Sequence, residues 1–575
     1  MIAAPSAPPR TVTAAEAAVR VMESEGVELA FGIPGASILP LYDALRRSSI
    51  RHVVVRHEEG ATHAADGYAR ATGKVGVAIA TSGPGGTNFV TGLYTAQADS
   101  IPIITVTGQV PVSQLHREGF QAVDIAEIVK PVVKKSFLVK EAAQIPWVFR
   151  EAFRIARDGR PGPVHIDLPQ DVQQQLIAFD HEVDEPLPLF KTPPPAAKVR
   201  RAVEWLANAE RPVLMPGGGV LIAEAWEPLV ALAEHLQLAV SPTLMGKGAI
   251  DEDHPLYMGI VGIQTSQPFA NALFLESDVV CAVGARFATR HTGDLPTYRG
   301  NRRFVQVDVE ATQIGRIFEP DLGIVADAKL TLEAMLAEAR RLYPDGVRRE
   351  AWAARIGEVR ATHVRRTDFA EIPIKGPRVF GELNAHYGAD TTFVTAIGLY
   401  QIWSGQFQIT HKPRRYFVCG QAGPLGWEIS AATGIKLGEP EREVVAVVGD
   451  YSFEFLMEEI ATAVQYRVPF VIVMVNNAHL GLIRQAERGG FGFDEDYEVG
   501  IGYGEDGYGM NHVKAMEAMG AAGVRVTDPA EIRGALVWAG RESNERRIPV
   551  LVEILTEPKE NAAMGTSIAS IKEVS

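Results

Sequence analysis

Cysteine is almost absent: Cys281 and Cys419 are the only two in 575 residues. Two thiols cannot build a disulfide framework or a cysteine-ligated metal centre. Both lie in apolar runs, where a free cysteine packs as a small buried hydrophobe. Long hydrophobic runs are missing too, since no stretch approaches the ~18 uninterrupted apolar residues that a membrane span needs. Nor is there any excess of positive charge: 56 Lys and Arg stand against 70 Asp and Glu, a formal net charge of −14. No general attraction to nucleic acid or to an anionic membrane follows from that balance, and any bound anion must be held by local groups. Residues 1–10 hold three prolines and no apolar core, so they read as a loose tail and not as a signal peptide. A cytoplasmic location is expected. What remains is 46% hydrophobic and 22% charged, an ordinary globular composition, with a length that predicts about three to four domains.

Short β-branched runs alternate with amphipathic helical segments along nearly the whole chain, the pattern of an α/β protein with parallel sheets covered by helices. Buried strands are predicted at Val75–Ala80, Ile101–Thr107, Pro163–Asp167, Pro212–Met215, Val279–Val283, Phe304–Val309, Val444–Val448, Phe470–Val475 and Pro549–Ile554. Helical spacing marks Ala14–Glu25 and Glu458–Tyr466. Residues 184–197 are too proline-rich for a helix or a central strand and read as an extended linker. A second crossing is the charged helical run Arg348–Arg366 with the segment ending at Pro377. The expected domains are 1–187, 196–345 and 375–575. The first and third share a rhythm of strand, glycine turn, helix and proline-opened strand, with Gly83 to Pro102 spaced 19 residues apart and Gly449 to Pro469 spaced 20. Either a duplication or a generic βαβ architecture produces that.

Ligands of doubly wound folds sit beyond the carboxyl ends of the parallel strands. Asp450 stands at such an end, and the strand closing at Val475 runs into Asn476-Asn477-Ala478-His479. A carboxylate, an amide oxygen and free carbonyls there make a hard oxygen site suited to Mg²⁺ and phosphates; Asp450 as an ordinary helix cap is the plainer alternative. The turn Ser82-Gly83-Pro84-Gly85-Gly86-Thr87-Asn88 lets backbone N–H groups approach an anion, although a simple connection does so as well. Glu58 follows an apolar strand and opens a helix, a place where the helix dipole alone favours an acid. His57 and His63 read as polar packing residues. The middle block places glycine or acidic turns after successive strands, as a dinucleotide crevice requires, but no Gly-x-Gly-x-x-Gly follows a strand.

Together these elements resemble the thiamine diphosphate (ThDP) enzymes of the acetohydroxyacid synthase group over roughly residues 12–565. The motif pairs Gly-Asp with Asn-Asn about 27 positions on, matched here by Asp450 and Asn477. The resemblance implies three doubly wound domains, binding the cofactor's pyrimidine, FAD and the cofactor's diphosphate in turn. It implies Mg²⁺ held by Asp450, Asn477 and the backbone carbonyl of His479. Glu58 would hydrogen-bond the pyrimidine nitrogen, Leu425 would wedge beneath the cofactor, and Phe120 and Gln121 would face the substrate. Cofactor contacts are expected from Gly35, Ser82, Pro84, Asn88 and Arg160 in the first block. The third block would contribute Ile397, Leu399, Gly423, Leu425, Gly449, Tyr451, Ser452, Leu480, Gly481, Leu482 and Ile483. In the middle block they are Gly217, Gly218, Gly219, Thr243, Leu244, Met245, Gly262, Gly284, Arg286, Arg290, Asp308, Asp327 and Ala328.

Within the group, Gly420–Trp427, Leu480–Gln485 and Arg286–Gly293 are most similar to the glyoxylate carboligases. Glu58 and its flanks lean the other way, toward acetolactate synthases, which carry glutamate where glyoxylate carboligases carry valine. Ala486 leans back, since acetolactate synthases have tryptophan there. The expected reaction is the decarboxylating condensation of two glyoxylates to tartronate semialdehyde. The alternatives are an acetolactate synthase-type carboligase acting on pyruvate and a catalytically silent flavoprotein of the same fold. The implied partners are a small 2-oxo acid and further copies of the chain in a homodimer or homotetramer, without nucleic acid or membrane.

Overall fold

A computed structural model describes residues 10–180, 184–504 and 506–571. Of the expected N-terminal tail, residues 1–9 lie outside the described residues. The chain divides into two compact units: Met1–Phe190 with Ile429–Glu441 and Leu456–Val468, and Lys191–Glu428 with Arg442–Phe455 and Pro469–Ser575.

The first unit holds six parallel strands: β1 (Leu29–Gly32), β2 (Arg51–Val54), β3 (Gly76–Ala80), β4 (Ile103–Gln109), β5 (Lys135–Leu138) and β6 (Val164–Pro169). They run in the order β2-β1-β3-β4-β6-β5. Every residue of β3, β4 and β6 is buried, as parallel strands covered by helices on both faces must be. A separate antiparallel ribbon pairs Arg10–Thr13 with Leu176–Phe179.

The second unit holds two sheets. The smaller has β7 (Pro212–Pro216), β8 (Ala239–Val240), β9 (Val279–Val283), β10 (Arg303–Asp308) and β11 (Leu322–Val325), ordered β8-β7-β9-β10-β11. The larger has β12 (Thr392–Thr395), β13 (Tyr416–Val418), β14 (Val444–Gly449), β15 (Phe470–Asn476), β16 (Ala522–Val526) and β17 (Pro549–Leu555). Its order, β13-β12-β14-β15-β17-β16, repeats that of the first sheet strand for strand. The matched glycine-to-proline rhythm therefore belongs to two sheets of one topology.

All nine predicted strands are present, with no end shifted by more than two residues. Residues 184–195 form neither helix nor strand, and a helix begins at Ala196. Both cysteines are buried. No helix among the described residues is long and apolar enough to cross a membrane.

The helix Glu58–Thr72 packs beside Val90–Asp99 around a buried charge cluster. Arg70 donates through Nε to Asp66 (2.6 Å) and through Nη2 to Asp99 (3.0 Å), and neither carboxylate side chain is exposed. Removing one partner of such a set leaves uncompensated buried charge. Arg70→Met is expected to destabilise the protein by ~3–5 kcal/mol, seen as a lower urea midpoint; an unchanged midpoint refutes this reading of the cluster.

Candidate active site

In the first unit, the residues singled out in the sequence gather at the carboxyl ends of β1 to β4, except Arg160, which lies ahead of β6. The strand β2 ends at Val54, and His57 caps the helix that starts at Glu58, its Nδ1 accepting the N–H of Glu59 at 3.1 Å. Glu58 is half-buried, and its Oε2 accepts from Asn88 Nδ2 at 2.8 Å. A Cβ at Gly85 would meet Glu58 Oε1 at 3.4 Å, so the Pro84–Thr87 turn packs alongside this carboxylate. The helix-dipole reading of Glu58 is thus true of its position but incomplete, because the carboxylate is also aimed by an amide. Ser82 is held by Ser37, whose Oγ accepts the Ser82 N–H at 3.0 Å. Gly35 lies so close to Thr81 that a Cβ would sit 2.5 Å from the threonine Cβ. Gly83 adopts φ 64°, and a Cβ there would fall 2.8 Å from that of Gln121, which brings Gln121 to the turn. Phe120 is 87% exposed in the single chain.

In the second unit, a matching group sits at the ends of β12, β14 and β15. Asp450 opens the helix Asp450–Phe455. It is more than a cap: Oδ1 accepts the N–H of Tyr451 (2.9 Å) while Oδ2 accepts that of Ala478 (2.7 Å), joining the ends of two adjacent strands. Burial pushes its carboxyl up to about 6, against those two N–H groups and the nearby His512. A buried carboxylate that burial alone disfavours is a natural cation ligand. Asn477 and His479 follow at the end of β15, where Asn477 Oδ1 accepts the His479 N–H at 3.3 Å; oxygen donors of this type are what Mg²⁺ prefers. Around it, a Cβ on Gly481 would strike both Leu399 (2.5 Å) and Asn477 (2.6 Å), and Gly423 faces Ile397 at 3.4 Å. The N–H of Gly426, next to Leu425, donates to Ser452 Oγ at 3.0 Å. Leu425, Tyr451, Leu480 and Leu482 are half-buried, Ile483 is 53% exposed, and the exposed Ala486 ends the helix Gly481–Ala486.

The glycines of the middle block meet one another. A Cβ on Gly217 would sit 2.1 Å from the Gly284 carbonyl oxygen, and one on Gly219 would sit 2.8 Å from Gly284 Cα. Close packing of β7 against β9 therefore accounts for these two without a ligand, while Gly218 faces Met245 at 3.3 Å. Thr243 precedes the short turn Leu244–Gly246. Gly262 is pinned by Asn271 through both its N–H and its carbonyl. Arg290 donates to the amide oxygens of Gln264 and Gln401. Burial lowers its pKa, so a neutral pair holds a desolvated cation, and an anionic group fits there. Arg286 is half-buried beyond β9. Asp308 accepts the Glu310 N–H at the end of β10, and Asp327 caps the helix that Ala328 opens. Arg160, in the first unit, donates to Ser100 Oγ (2.8 Å) and to the Gln97 and Ala98 carbonyls at a helix end.

Sequence reasoning misses Glu428 and Tyr400. Glu428 is fully buried and accepts hydrogen bonds from the Tyr400 hydroxyl and from Ser452 Oγ, the latter at 3.1 and 3.0 Å to its two oxygens. Bare Gly398 and Gly449 admit the Tyr400 ring. Glu428 therefore ties the Leu425 loop, the Tyr400 helix and the Asp450 helix together. An acid just past a glycine-rich loop is a faint signal, since most such acids are solvated.

Three stretches of the chain match one family: residues 12–128 as thiamine pyrophosphate enzyme, N-terminal TPP binding domain; 199–335 as its central domain; and 396–554 as its C-terminal TPP binding domain. A glyoxylate carboligase of Escherichia coli O157:H7 is 46% identical over 570 residues, 97% of this chain and 96% of the relative. Probable acetolactate synthase large subunits of Methanococcus aeolicus and Methanocaldococcus jannaschii are 36% and 39% identical, each over 96% of this chain and 93% of the relative.

Burial raises the Glu428 carboxyl to about 7, against the donors from Tyr400 and Ser452. A carboxyl whose folded pKa is raised adds stability below its unfolded pKa and loses it as pH climbs toward the folded value. Relative to Glu428→Gln, the native protein is expected to lose up to ~3 kcal/mol of stability between pH ~4.5 and ~7. Urea titrations of both proteins across that range check it; parallel curves refute it.

Proposed function

Because the chain belongs to the thiamine pyrophosphate enzyme family, we propose that it joins two glyoxylate molecules into tartronate semialdehyde with release of CO₂. The observation that carries this reading is the full-length likeness to a glyoxylate carboligase. The enzyme is a decarboxylating carboligase that uses ThDP held through Mg²⁺. FAD in the central block, a cytoplasmic location and a homodimer or homotetramer with its active sites at subunit interfaces complete the reading. Its domains are 1–187, 196–345 and 375–575.

Bound ThDP supplies a nucleophilic carbon and an electron sink, which make loss of CO₂ from a 2-oxo acid feasible. Glu58 would hold a proton at the cofactor's pyrimidine nitrogen, its carboxylate aimed by Asn88, which donates to Oε2. Asp450, Asn477 and the His479 carbonyl would ligate Mg²⁺ and through it the diphosphate. Leu425 backs the cofactor from a loop that Ser452 secures. Phe120 and Gln121 would face the substrate side and, once covered, help exclude water. Arg290 and Arg286 offer positive charge to the flavin's phosphates.

A second reading, acetolactate synthesis from pyruvate, is favoured by Glu58 itself, whose residue type is the acetolactate synthase one. One methylene in a hydrophobic pocket is worth only ~1–3 kcal/mol, so a single position such as Ala486 is enough to retune acceptor preference. With ThDP, Mg²⁺ and FAD supplied, glyoxylate alone is expected to give CO₂ and tartronate semialdehyde, identified by mass spectrometry. Consumption of pyruvate alone would replace the first reading by the second, and no CO₂ from either acid would leave a silent flavoprotein. Glu58→Gln is expected to lower kcat about 10²- to 10⁴-fold without loss of fold; unchanged turnover removes Glu58 from the chemistry.

A further inference from the structure

The loop that delivers Glu58 is held from behind by another part of the same unit. Between β2 and the Glu58 helix, the N–H groups of Arg56 and His57 both donate to one oxygen, Oε1 of Glu459, each at 2.8 Å. Glu459 opens the helix Glu459–Gln465 and is 2% exposed. Two more residues of that segment grip the same loop. Tyr466 Oη accepts the Val54 N–H at 2.8 Å, and Gln465 Oε1 accepts from Arg56 Nη2 at 2.6 Å. The Glu58 helix makes room for this brace: a Cβ on Gly60 would lie 2.6 Å from Glu459 Oε1 and 2.7 Å from its Cδ. Glycine in the first turn of a helix is otherwise a poor choice.

A buried carboxylate that gathers two backbone N–H groups makes charge-assisted hydrogen bonds, among the stronger ones a protein can form. Here they bind the N–H groups of the two residues that immediately precede Glu58. The direction of the Glu58 side chain follows from the backbone angles at 56–58, and His57 is extended at φ −139°, ψ 140°. Asn88 constrains the far end of the Glu58 side chain; Glu459 constrains its root.

We propose that Glu459 is a positioning residue for the carboligation: by accepting the Arg56 and His57 N–H groups it fixes the turn that presents Glu58. The proposal rests on the role assigned to Glu58 above. Proton placement on a heterocycle is sensitive to small displacements of the donor, and a shift of ~1 Å can slow a reaction about a hundredfold.

The test uses the full-length protein as Glu459→Ala, Glu459→Gln, Glu58→Gln and the double variant Glu58→Gln/Glu459→Ala. Amide hydrogen exchange of the peptide spanning 54–60, measured without cofactor, reads the brace directly. Faster exchange is expected in Glu459→Ala and near-native exchange in Glu459→Gln, whose amide oxygen still accepts both N–H groups. With ThDP and Mg²⁺ saturating, Glu459→Ala is expected to lower kcat about ten- to a hundredfold at little-changed KM, with Glu459→Gln restoring most of the rate. The double variant is expected to be no slower than Glu58→Gln alone, because a displaced glutamine loses nothing further. Unchanged exchange in Glu459→Ala, or an equal slowing by Glu459→Ala whether or not Glu58→Gln is also present, overturns the proposal. If Glu459→Ala does not fold, Glu459→Asp takes its place, with a carboxylate too short to reach both N–H groups, and native exchange and rate in it overturn the proposal. Full activity of Glu58→Gln would fail the reading of Glu58 instead, and the exchange comparison alone then decides whether the brace exists.

Discussion

A carboxylate buried at the meeting point of two parallel strands is the constraint on which the rest of this structure turns. Asp450 spans the ends of β14 and β15 through the N–H groups of Tyr451 and Ala478. Those two donors do not fully offset its burial. A cation would relieve that charge, and the neighbouring Asn477 and His479 carry oxygens of the type a hard cation takes. Glu428 keeps the loop and helices in register from below.

The same architecture serves twice. Two six-stranded sheets share one strand order, and in each the chemistry-bearing residues lie where strands give way to helices. The first sheet ends in Glu58, Ser82 and Asn88; the second ends in Asp450, Ser452 and Asn477. One corner presents an oxygen that can place a proton, and the other presents oxygens that can hold a metal.

Much of this is legible in the sequence because its cause is local. The longer central strands are runs of five to seven residues, such as the buried Phe470–Asn476, and apolar continuity marks them at once, whereas the four-residue central strands Leu29–Gly32 and Thr392–Thr395 are too short for it. Edge strands such as Lys135–Leu138, with one exposed residue and three half-buried ones, and the three-residue Tyr416–Val418 escape a reading based on such runs. Asp450, Asn477 and Glu58 are visible because strand ends are where ligands bind. Glu428 and Glu459 are not, because an acidic letter carries no mark of burial, and Glu459 finds its partners some 400 residues away. The strand-end glycines of the middle block suggest a nucleotide crevice, yet Gly217 and Gly219 are explained first by the close approach of Gly284.

The account stands on the metal corner, and calorimetric titration of metal-stripped protein with ThDP addresses it most directly. Tight binding is predicted with Mg²⁺ present, with little or none in its absence or in Asp450→Asn. Equal affinity with and without the metal, or undiminished affinity in Asp450→Asn, would contradict it.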